Sequence, residues 1–316
     1  MIIEKLEENN RPLKHERVHV KKMGNIIEII YNTSRTGRKS IKVLDNDRKS
    51  YVVFSSGEVK KFKRTNNRAE NMINVSQSLK RLREIINTNI RDVKKCSWIT
   101  LTYRENMKDS ARLYDDFRKF KMRLDYYLEV NGLPKYEYIV AMEPQARGAW
   151  HAHLILIFNE KAPYVANNVL AEIWKQGFVK IKAFKNTDNI GLYFGAYLGD
   201  IDLIEEIQAK GFPKKGVIKE VEYTDENGKK SKKHILKGAR LKMYPVGFRL
   251  YRTSRGIKHP VIYKCTEKEA MKQVDGAPLK YEKTIQLKTE GGKIINTINY
   301  RHYNINENML IDGLFF

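Results

Sequence analysis

Residues 150–156 read Trp150-His151-Ala152-His153-Leu154-Ile155-Leu156, a run of aromatic and aliphatic residues typical of a buried strand. Alternate side chains of a strand project from the same face, so His151 and His153 share a face, with Cα atoms about 6.6 Å apart. The two imidazoles can therefore converge on one cation. Taken alone, such a pair is more often two ordinary strand histidines, so the neighbouring elements decide between these interpretations.

The segment before this strand predicts a third ligand. Ala146-Arg147-Gly148 fits a three-residue hairpin loop with glycine in the left-handed position. Such a loop pairs Gln145 with Ala149 and places Glu143 opposite His151, on the same face. Glu143 is then the expected third ligand, with Gln145 as the alternate. Two nitrogens, one carboxylate oxygen and open positions suit Mn²⁺ or Mg²⁺, and they also accommodate Zn²⁺.

The order of elements around the hairpin predicts the fold. Strands are expected at residues 98–103, 138–143, 150–158 and 178–183. One helix is expected over residues 113–127, and a second is opened by Pro163 and ended by Gly177. The order β-α-β-β-α-β is the split βαβ arrangement, an antiparallel sheet with packed helices and with its first and third strands in the centre. The sequence therefore predicts an α+β domain whose histidine strand is central.

A further helix is expected from about Asp188 to Gly199, and it carries two tyrosines. Tyr193 and Tyr197 lie four residues apart and share one helical face. Three glycines in this segment cost helix stability, roughly 1 kcal/mol each relative to alanine, so packing or function should compensate. By themselves the tyrosines are best explained as an aromatic pair packed on the sheet. Beside a metal site, one of them becomes a candidate nucleophile for an activated phosphate.

Composition restricts the partners. The chain has 316 residues, a formal net charge of +23 and a pI of about 9.7, which favours polyanions, with nucleic acid ahead of a membrane surface. No apolar run approaches the ~20 residues of a membrane span, and the N-terminus lacks the apolar core of a signal peptide. We therefore expect a cytoplasmic protein with no membrane partner. Cys96 and Cys265 are far apart, which predicts neither a disulfide framework nor a thiolate zinc site.

Three consecutive regions are predicted. Residues 1–94 form a basic region that ends in an amphipathic helix through Met72 and Ile86, residues 95–204 the α+β domain, and residues 205–316 a basic, β-rich region. The last of these contains a lysine-rich hairpin or linker at 211–237. It also interleaves basic and aromatic residues over 240–260. This segment either stacks on DNA bases or forms a basic edge strand with core aromatics.

Three motifs, in order, carry a family resemblance: residues 98–103, the run from Glu143 to His153, and Tyr193-x3-Tyr197. They resemble rolling-circle replication initiators of the HUH endonuclease superfamily, of the bacterial plasmid and phage type, over about residues 98–200. The resemblance implies a divalent metal, Mn²⁺ or Mg²⁺, at His151, His153 and Glu143. It also implies that Tyr193 or Tyr197 attacks a phosphodiester of single-stranded origin DNA, leaving a 5′-phosphotyrosine.

The resemblance also implies partners and leaves rivals. Single-stranded and duplex origin DNA are expected, with a host DNA polymerase, and with a host helicase because no G-x4-GK[ST] run occurs. The family often has a lysine three residues after a tyrosine, whereas Ala196 and Asp200 stand at these positions here. Mobilisation relaxases and single-strand transposases share the chemistry, although the relaxase tyrosine precedes the histidines. A non-catalytic nucleic-acid-binding module is the alternative from another class.

Overall fold

The computed structural model describes residues 2–34, 41–44, 49–62, 66–182, 198, 201–202, 204, 207–208, 218–224, 230–236 and 238–305. The strands in these residues are β1 (Ile2–Lys5), β2 (Arg17–Met23), β3 (Ile26–Asn32), β4 (Ile41–Val43), β5 (Ser50–Val53), β6 (Val59–Lys61), β7 (Cys96–Thr102), β8 (Tyr136–Pro144), β9 (Trp150–Phe158), β10 (Val179–Lys182), β11 (Ile201–Asp202), β12 (Ile218–Thr224), β13 (Lys230–Leu236), β14 (Tyr251–Thr253), β15 (Val261–Thr266), β16 (Leu279–Lys288) and β17 (Ile294–Asn304). The helices are α1 (Met72–Asn89), α2 (Ser110–Val130), α3 (Asn167–Trp174) and α4 (Glu267–Lys272), with short 3₁₀ helices at Arg68–Glu70, Val93–Lys95 and Ala239–Met243.

The chain divides into two compact units. One combines Met1–Thr65 with Pro260–Phe316, and the other is Asn66–His259. The first unit thus joins both ends of the chain. This grouping by contacts is drawn differently from the three consecutive regions that the sequence predicts, with boundaries after residues 94 and 204. Those regions stay a prediction about where functions lie.

The first unit contains an antiparallel sheet whose described strands run in the order β1-β16-β17-β3-β2-β15. Val20 and Ile29 of this sheet pack with Ala270 of α4 to form its core. The predicted C-terminal alternation and glycine turn are confirmed, because β16 and β17 flank Gly291-Gly292. Gly292 has a φ of 81°, a conformation that glycine adopts without strain. A separate sheet in this unit has the described strand order β4-β5-β6.

The second unit contains the sheet predicted around the histidine strand. Its described strands run in the order β10-β7-β9-β8-β14, and all neighbouring pairs are antiparallel. The α+β class, with an antiparallel sheet and packed helices, is therefore confirmed. The order also places the first and third predicted strands, now β7 and β9, in the interior of the sheet. The histidines thus lie on a strand with hydrogen-bonded neighbours on both sides.

The two faces of this sheet are covered differently. On one face, Leu154 of β9 packs with Phe117 of α2 and Trp174 of α3. On the other face, Ile155 of β9 packs with Ile86 of α1. Since side chains alternate along a strand, His151 and His153 lie on the α1 face, as Ile155 does. They occupy the end of that face next to the β8–β9 hairpin.

The helix after β9 differs from its prediction at both ends. It begins at Asn167 and not at Pro163. The chain before it runs extended, because Ala162 N–H donates to Lys94 O at 2.9 Å and Val165 packs against the core. The helix ends at Lys175, which has a left-handed φ of 62°, and not at Gly177. Gly177 serves another purpose, since a Cβ there would lie 2.4 Å from Thr102 O.

Three other predicted segments have distinct outcomes. The lysine-rich region contains a hairpin of β12 and β13, although its predicted turn at residues 225–228 lies outside the described residues. In the 240–260 segment, Tyr244 and Phe248 are buried and β14 is an edge strand, which matches the interpretation as an edge strand with core aromatics. The predicted helix at 188–199, apart from buried Leu198, lies outside the described residues. No helix within the described ranges is both long and apolar enough to cross a bilayer.

Candidate metal centre

The hairpin between β8 and β9 sets the register of the site. Gln145 N–H donates to Ala149 O at 2.8 Å, and Gly148 N–H donates to Gln145 O at 2.8 Å. Gly148 has a φ of 94°, so the tight loop requires the conformational freedom of glycine. The loop pairs Glu143 directly with His151. The predicted loop and register are therefore confirmed.

Glu143, His151 and His153 form one cluster on the α1 face. One donor atom from each residue lies within 4.8 Å of the other two, as the coordination of a metal ion requires. His153 Nε2 lies 3.0 Å from Glu143 Oε1. Among the described residues, buried His151 Nε2 and Glu143 Oε2 have no hydrogen-bond partner. A buried polar atom without a partner is costly, so these two atoms fit the ligands of a cation.

The alternate ligand lies elsewhere. Gln145 Oε1 accepts a hydrogen bond from Arg147 Nε at 3.0 Å within the hairpin loop. The amide oxygen that would coordinate a metal is thus engaged by a guanidinium. This geometry favours Glu143 over Gln145 as the oxygen donor beside the histidines.

Thr100 of β7 orients the central histidine. Thr100 lies opposite His153 in the strand pairing, and its Oγ1 is 3.2 Å from His153 Nδ1. With Nδ1 held by the hydroxyl, Nε2 is the ring nitrogen directed at Glu143. The edge of the Trp98 ring system also packs on His153, with centroids 6.4 Å apart. This is the arrangement by which outer contacts commonly fix a ligating imidazole.

A buried arginine that the sequence did not single out completes the surroundings of the cluster. Arg240, from the 3₁₀ helix Ala239–Met243, donates from Nη1 to Pro144 O at 2.7 Å, and the same nitrogen lies 3.5 Å from Glu143 Oε1. Its side chain is only 6% exposed. The sequence shows Arg240 merely as one basic residue of a basic segment. Its place beside Glu143 depends on contacts between residues 96 positions apart, which no local pattern reveals.

The electrostatics of the cluster set the protonation of two ligands. Burial lowers the pKa of His151 to about 4, and the nearby charge of Arg240 acts in the same direction. Burial by itself would raise the pKa of Glu143, but the charges of His153 and Arg240 outweigh it and lower this pKa to about 2. At neutral pH His151 is therefore neutral and Glu143 is ionised. These are the forms that bind metal cations.

The two candidate nucleophiles, Tyr193 and Tyr197, lie outside the described residues. Leu198, the next residue in the sequence after Tyr197, is described and fully buried. Its carbonyl oxygen accepts a hydrogen bond from Tyr244 Oη at 3.1 Å, and its side chain packs with Ile139 and Ile155 on the α1 face. The chain directly after Tyr197 is thus anchored on the face that carries the histidine cluster.

Fold and site together define an α+β protein with a candidate metal centre of two histidines and one glutamate on a central strand pair. Residues 96–201 match a family model described as replication-associated protein ORF2. This segment contains the three motifs and the complete cluster, and the match confirms the predicted resemblance at the level of replication-associated proteins. Comparisons with curated proteins and with solved structures gave no match.

Proposed function

We propose that the protein is a plasmid-type rolling-circle replication initiator of the HUH class, which nicks and rejoins single-stranded origin DNA in the cytoplasm. The observation that carries the proposal is the Glu143, His151 and His153 cluster, which lies within the segment similar to replication-associated proteins. The net charge of +23 supports a polyanionic substrate. Origin DNA, single-stranded and duplex, is the proposed partner, with a host helicase and a host polymerase.

The cluster would hold a divalent cation, Mn²⁺ or Mg²⁺. When bound, such an ion polarises a phosphoryl oxygen as a Lewis acid. His151 and His153 offer nitrogens and Glu143 an anionic oxygen, and the buried β8–β9 pair fixes their spacing. Thr100 holds the ring of His153, while Arg240 stands beside the carboxylate of Glu143. The residues of the chain thus provide a rigid set of ligands with outer contacts already in place.

The proposed nucleophile is Tyr193 or Tyr197. Its phenolic oxygen would form a bond to phosphorus as the bond from phosphorus to the 3′ oxygen breaks, which gives a 5′-phosphotyrosine and a free 3′ hydroxyl. The phenolic proton leaves the tyrosine, and a proton reaches the 3′ oxygen. Reversal of these steps would rejoin the strand. The anchoring of Leu198 on the histidine face supports a tyrosine segment close to this site.

The experiment looks for the covalent adduct. The full chain is incubated with Mn²⁺ and labelled single-stranded oligonucleotides that tile the DNA around its own gene, and products are separated under denaturing conditions. The variants are Tyr193→Phe, Tyr197→Phe and the double change. Tyr164→Phe is the matched control, since Tyr164 lies in the matched segment but is 88% exposed and remote in sequence from both tyrosines.

We expect wild type and Tyr164→Phe to form an adduct with one of the oligonucleotides, and the double variant to form none. The two single variants then show which tyrosine attacks first. An adduct that survives the double change would contradict the nucleophile assignment. Binding without cleavage of any oligonucleotide would contradict the nicking proposal and favour a non-catalytic DNA-binding module.

A further inference from the structure

The edge strand β10 presents a row of side chains on the histidine face. In its pairing with β7, Lys180 lies opposite Thr100 and Lys182 opposite Trp98. The alternate residues of β10 pack against the core under α2 and α3. Because side chains alternate, Lys180 and Lys182 project from the face that carries His153. The Lys182 ammonium lies 5.6 Å from the centroid of the Trp98 ring, which shows this orientation directly.

Phe178 precedes β10 and continues this row. Thr102 N–H donates to Phe178 O at 2.9 Å, so the backbone of Phe178 is still paired with the end of β7. Gly177 allows the close approach, because a Cβ there would lie 2.4 Å from Thr102 O. Phe178 is nevertheless 67% exposed. A firmly held backbone therefore presents a large apolar ring to solvent on the face of the candidate site.

The strand pairing also gives the distance from this row to the cluster. Thr102 pairs with His151 on β9, and Thr100 pairs with His153. Phe178 and Lys180 are thus each two strands away from one of the histidines, which is about 10 Å at ~4.8 Å per strand. They lie beside the cluster on the same sheet face, at a distance that a neighbouring nucleotide can bridge.

An aromatic ring next to a cation matches the chemistry of single-stranded nucleic acid. Bases stack on exposed aromatic rings, and lysines neutralise the phosphates between them. Phe178 and Lys180 are two residues apart along the strand, about 6.6 Å, so a ring and an ammonium stand side by side. A duplex keeps its bases stacked on each other, so this pair is suited to an unpaired strand.

We propose that Phe178 and Lys180 form a subsite for the nucleotide next to the scissile phosphate. The ring of Phe178 stacks on the base, and the ammonium of Lys180 contacts a phosphate oxygen. A phenyl ring has no hydrogen-bonding group, so this contact tolerates any base and positions the strand without reading its sequence. The location next to a scissile phosphate rests on the proposed nicking function, whereas the binding of single-stranded DNA does not.

Binding is measured apart from cleavage. The anisotropy of a fluorescein-labelled oligothymidylate is followed with the full chain, without divalent metal, over a series of salt concentrations. We expect Phe178→Leu to weaken binding about tenfold with an unchanged salt dependence, because it removes stacking and no charge. Lys180→Gln should lower the slope of log K against log salt by about 0.7, the value for one phosphate contact on a single strand.

Two kinds of control complete the design. Lys135→Gln removes the same charge from an exposed lysine just before β8, at the end of the sheet remote from the hairpin, and should bind like wild type. Phe178→Trp and Lys180→Arg keep a ring and a charge, and they should restore binding. Recovery in these variants shows that the losses come from the missing groups and not from misfolding.

The outcomes separate this subsite from the nicking proposal. If Phe178→Leu and Lys180→Gln bind the oligonucleotide as tightly as Lys135→Gln, the subsite is wrong, whether or not the wild type nicks DNA. If both variants lose binding as expected while the wild type forms no covalent adduct, the subsite holds as a binding site and only the nicking proposal fails.

Discussion

Each of the two units buries a glutamate beside an arginine, and the two pairs differ in how fully their atoms are bonded. In the first unit, Arg301 Nη1 and Nη2 contact the two oxygens of Glu267 at 2.5 and 2.7 Å, and the arginine is fully buried. In the second unit, Arg240 lies 3.5 Å from only one oxygen of Glu143. The other oxygen of Glu143 has no hydrogen-bond partner within the described residues.

The difference separates a structural pair from a binding site. Paired charges in the sheet of the first unit satisfy each other, and such a pair requires no further ligand. Glu143 and His151 instead leave buried donor atoms open toward each other, which costs stability unless a cation binds. We therefore expect changes at Arg301 to act on stability, and changes at the cluster to act on metal binding.

The largest effect on stability is expected for Arg301→Met. This change leaves the carboxylate of Glu267 buried without its partner, and such a loss costs about 3–5 kcal/mol of unfolding free energy. Urea unfolding measures it. The double variant Arg301→Met with Glu267→Leu should recover much of the loss. A loss below about 1 kcal/mol in the single variant would mean that the pair is not the structural contact described above.

The next effect is stabilisation by metal. Mn²⁺ at about 100 times its dissociation constant should stabilise the native protein by about 2.7 kcal/mol, because the ion binds only the folded cluster. Thermal unfolding with and without Mn²⁺ measures this shift. The shift should persist in Arg301→Met at a temperature where that variant is folded, and it should vanish in His151→Ala with His153→Ala. An equal shift in the histidine variant would place the ion elsewhere.

A smaller effect is expected from Thr100→Val, which removes the hydroxyl next to His153 Nδ1 while keeping a similar shape. Contacts that orient a ligating histidine are typically worth 10–100-fold in metal affinity. We expect about a tenfold loss of Mn²⁺ affinity, measured by titration calorimetry, with the free energy of unfolding changed by no more than about 1 kcal/mol. Unchanged affinity would show that Thr100 does not orient the ring.

The smallest effect on stability is expected for His151→Leu. The change replaces a buried nitrogen that has no partner in the described part of the chain by an apolar group of comparable size. Stability in the absence of metal should stay within about 1 kcal/mol of wild type or rise, while the stabilisation by Mn²⁺ is lost. A large loss of stability without metal would indicate that His151 has a structural role.

The sequence could predict the site where local chemistry determines geometry. The loop from Gln145 to Ala149 requires a glycine at position 148, and this fixes the register that brings Glu143 opposite His151. Contacts between distant segments were beyond such reasoning. Arg240 reaches Pro144 across 96 positions, and the pairing of both chain ends in one sheet has no local signature. The start of α3 was wrong because the packing of Val165 outweighs the helix-opening preference of Pro163.

The central claim is that Glu143, His151 and His153 bind one divalent cation, and a titration of the metal-free chain with Mn²⁺ followed by electron paramagnetic resonance tests it most directly. Wild type should bind one ion per chain at this site, and His151→Ala with His153→Ala should lose that ion. His234→Ala is the matched control, since His234 also stands near a glutamate, 3.9 Å from Glu220, but is exposed. The control should bind like wild type. Full binding by the double histidine variant, or no binding by wild type, would contradict the claim.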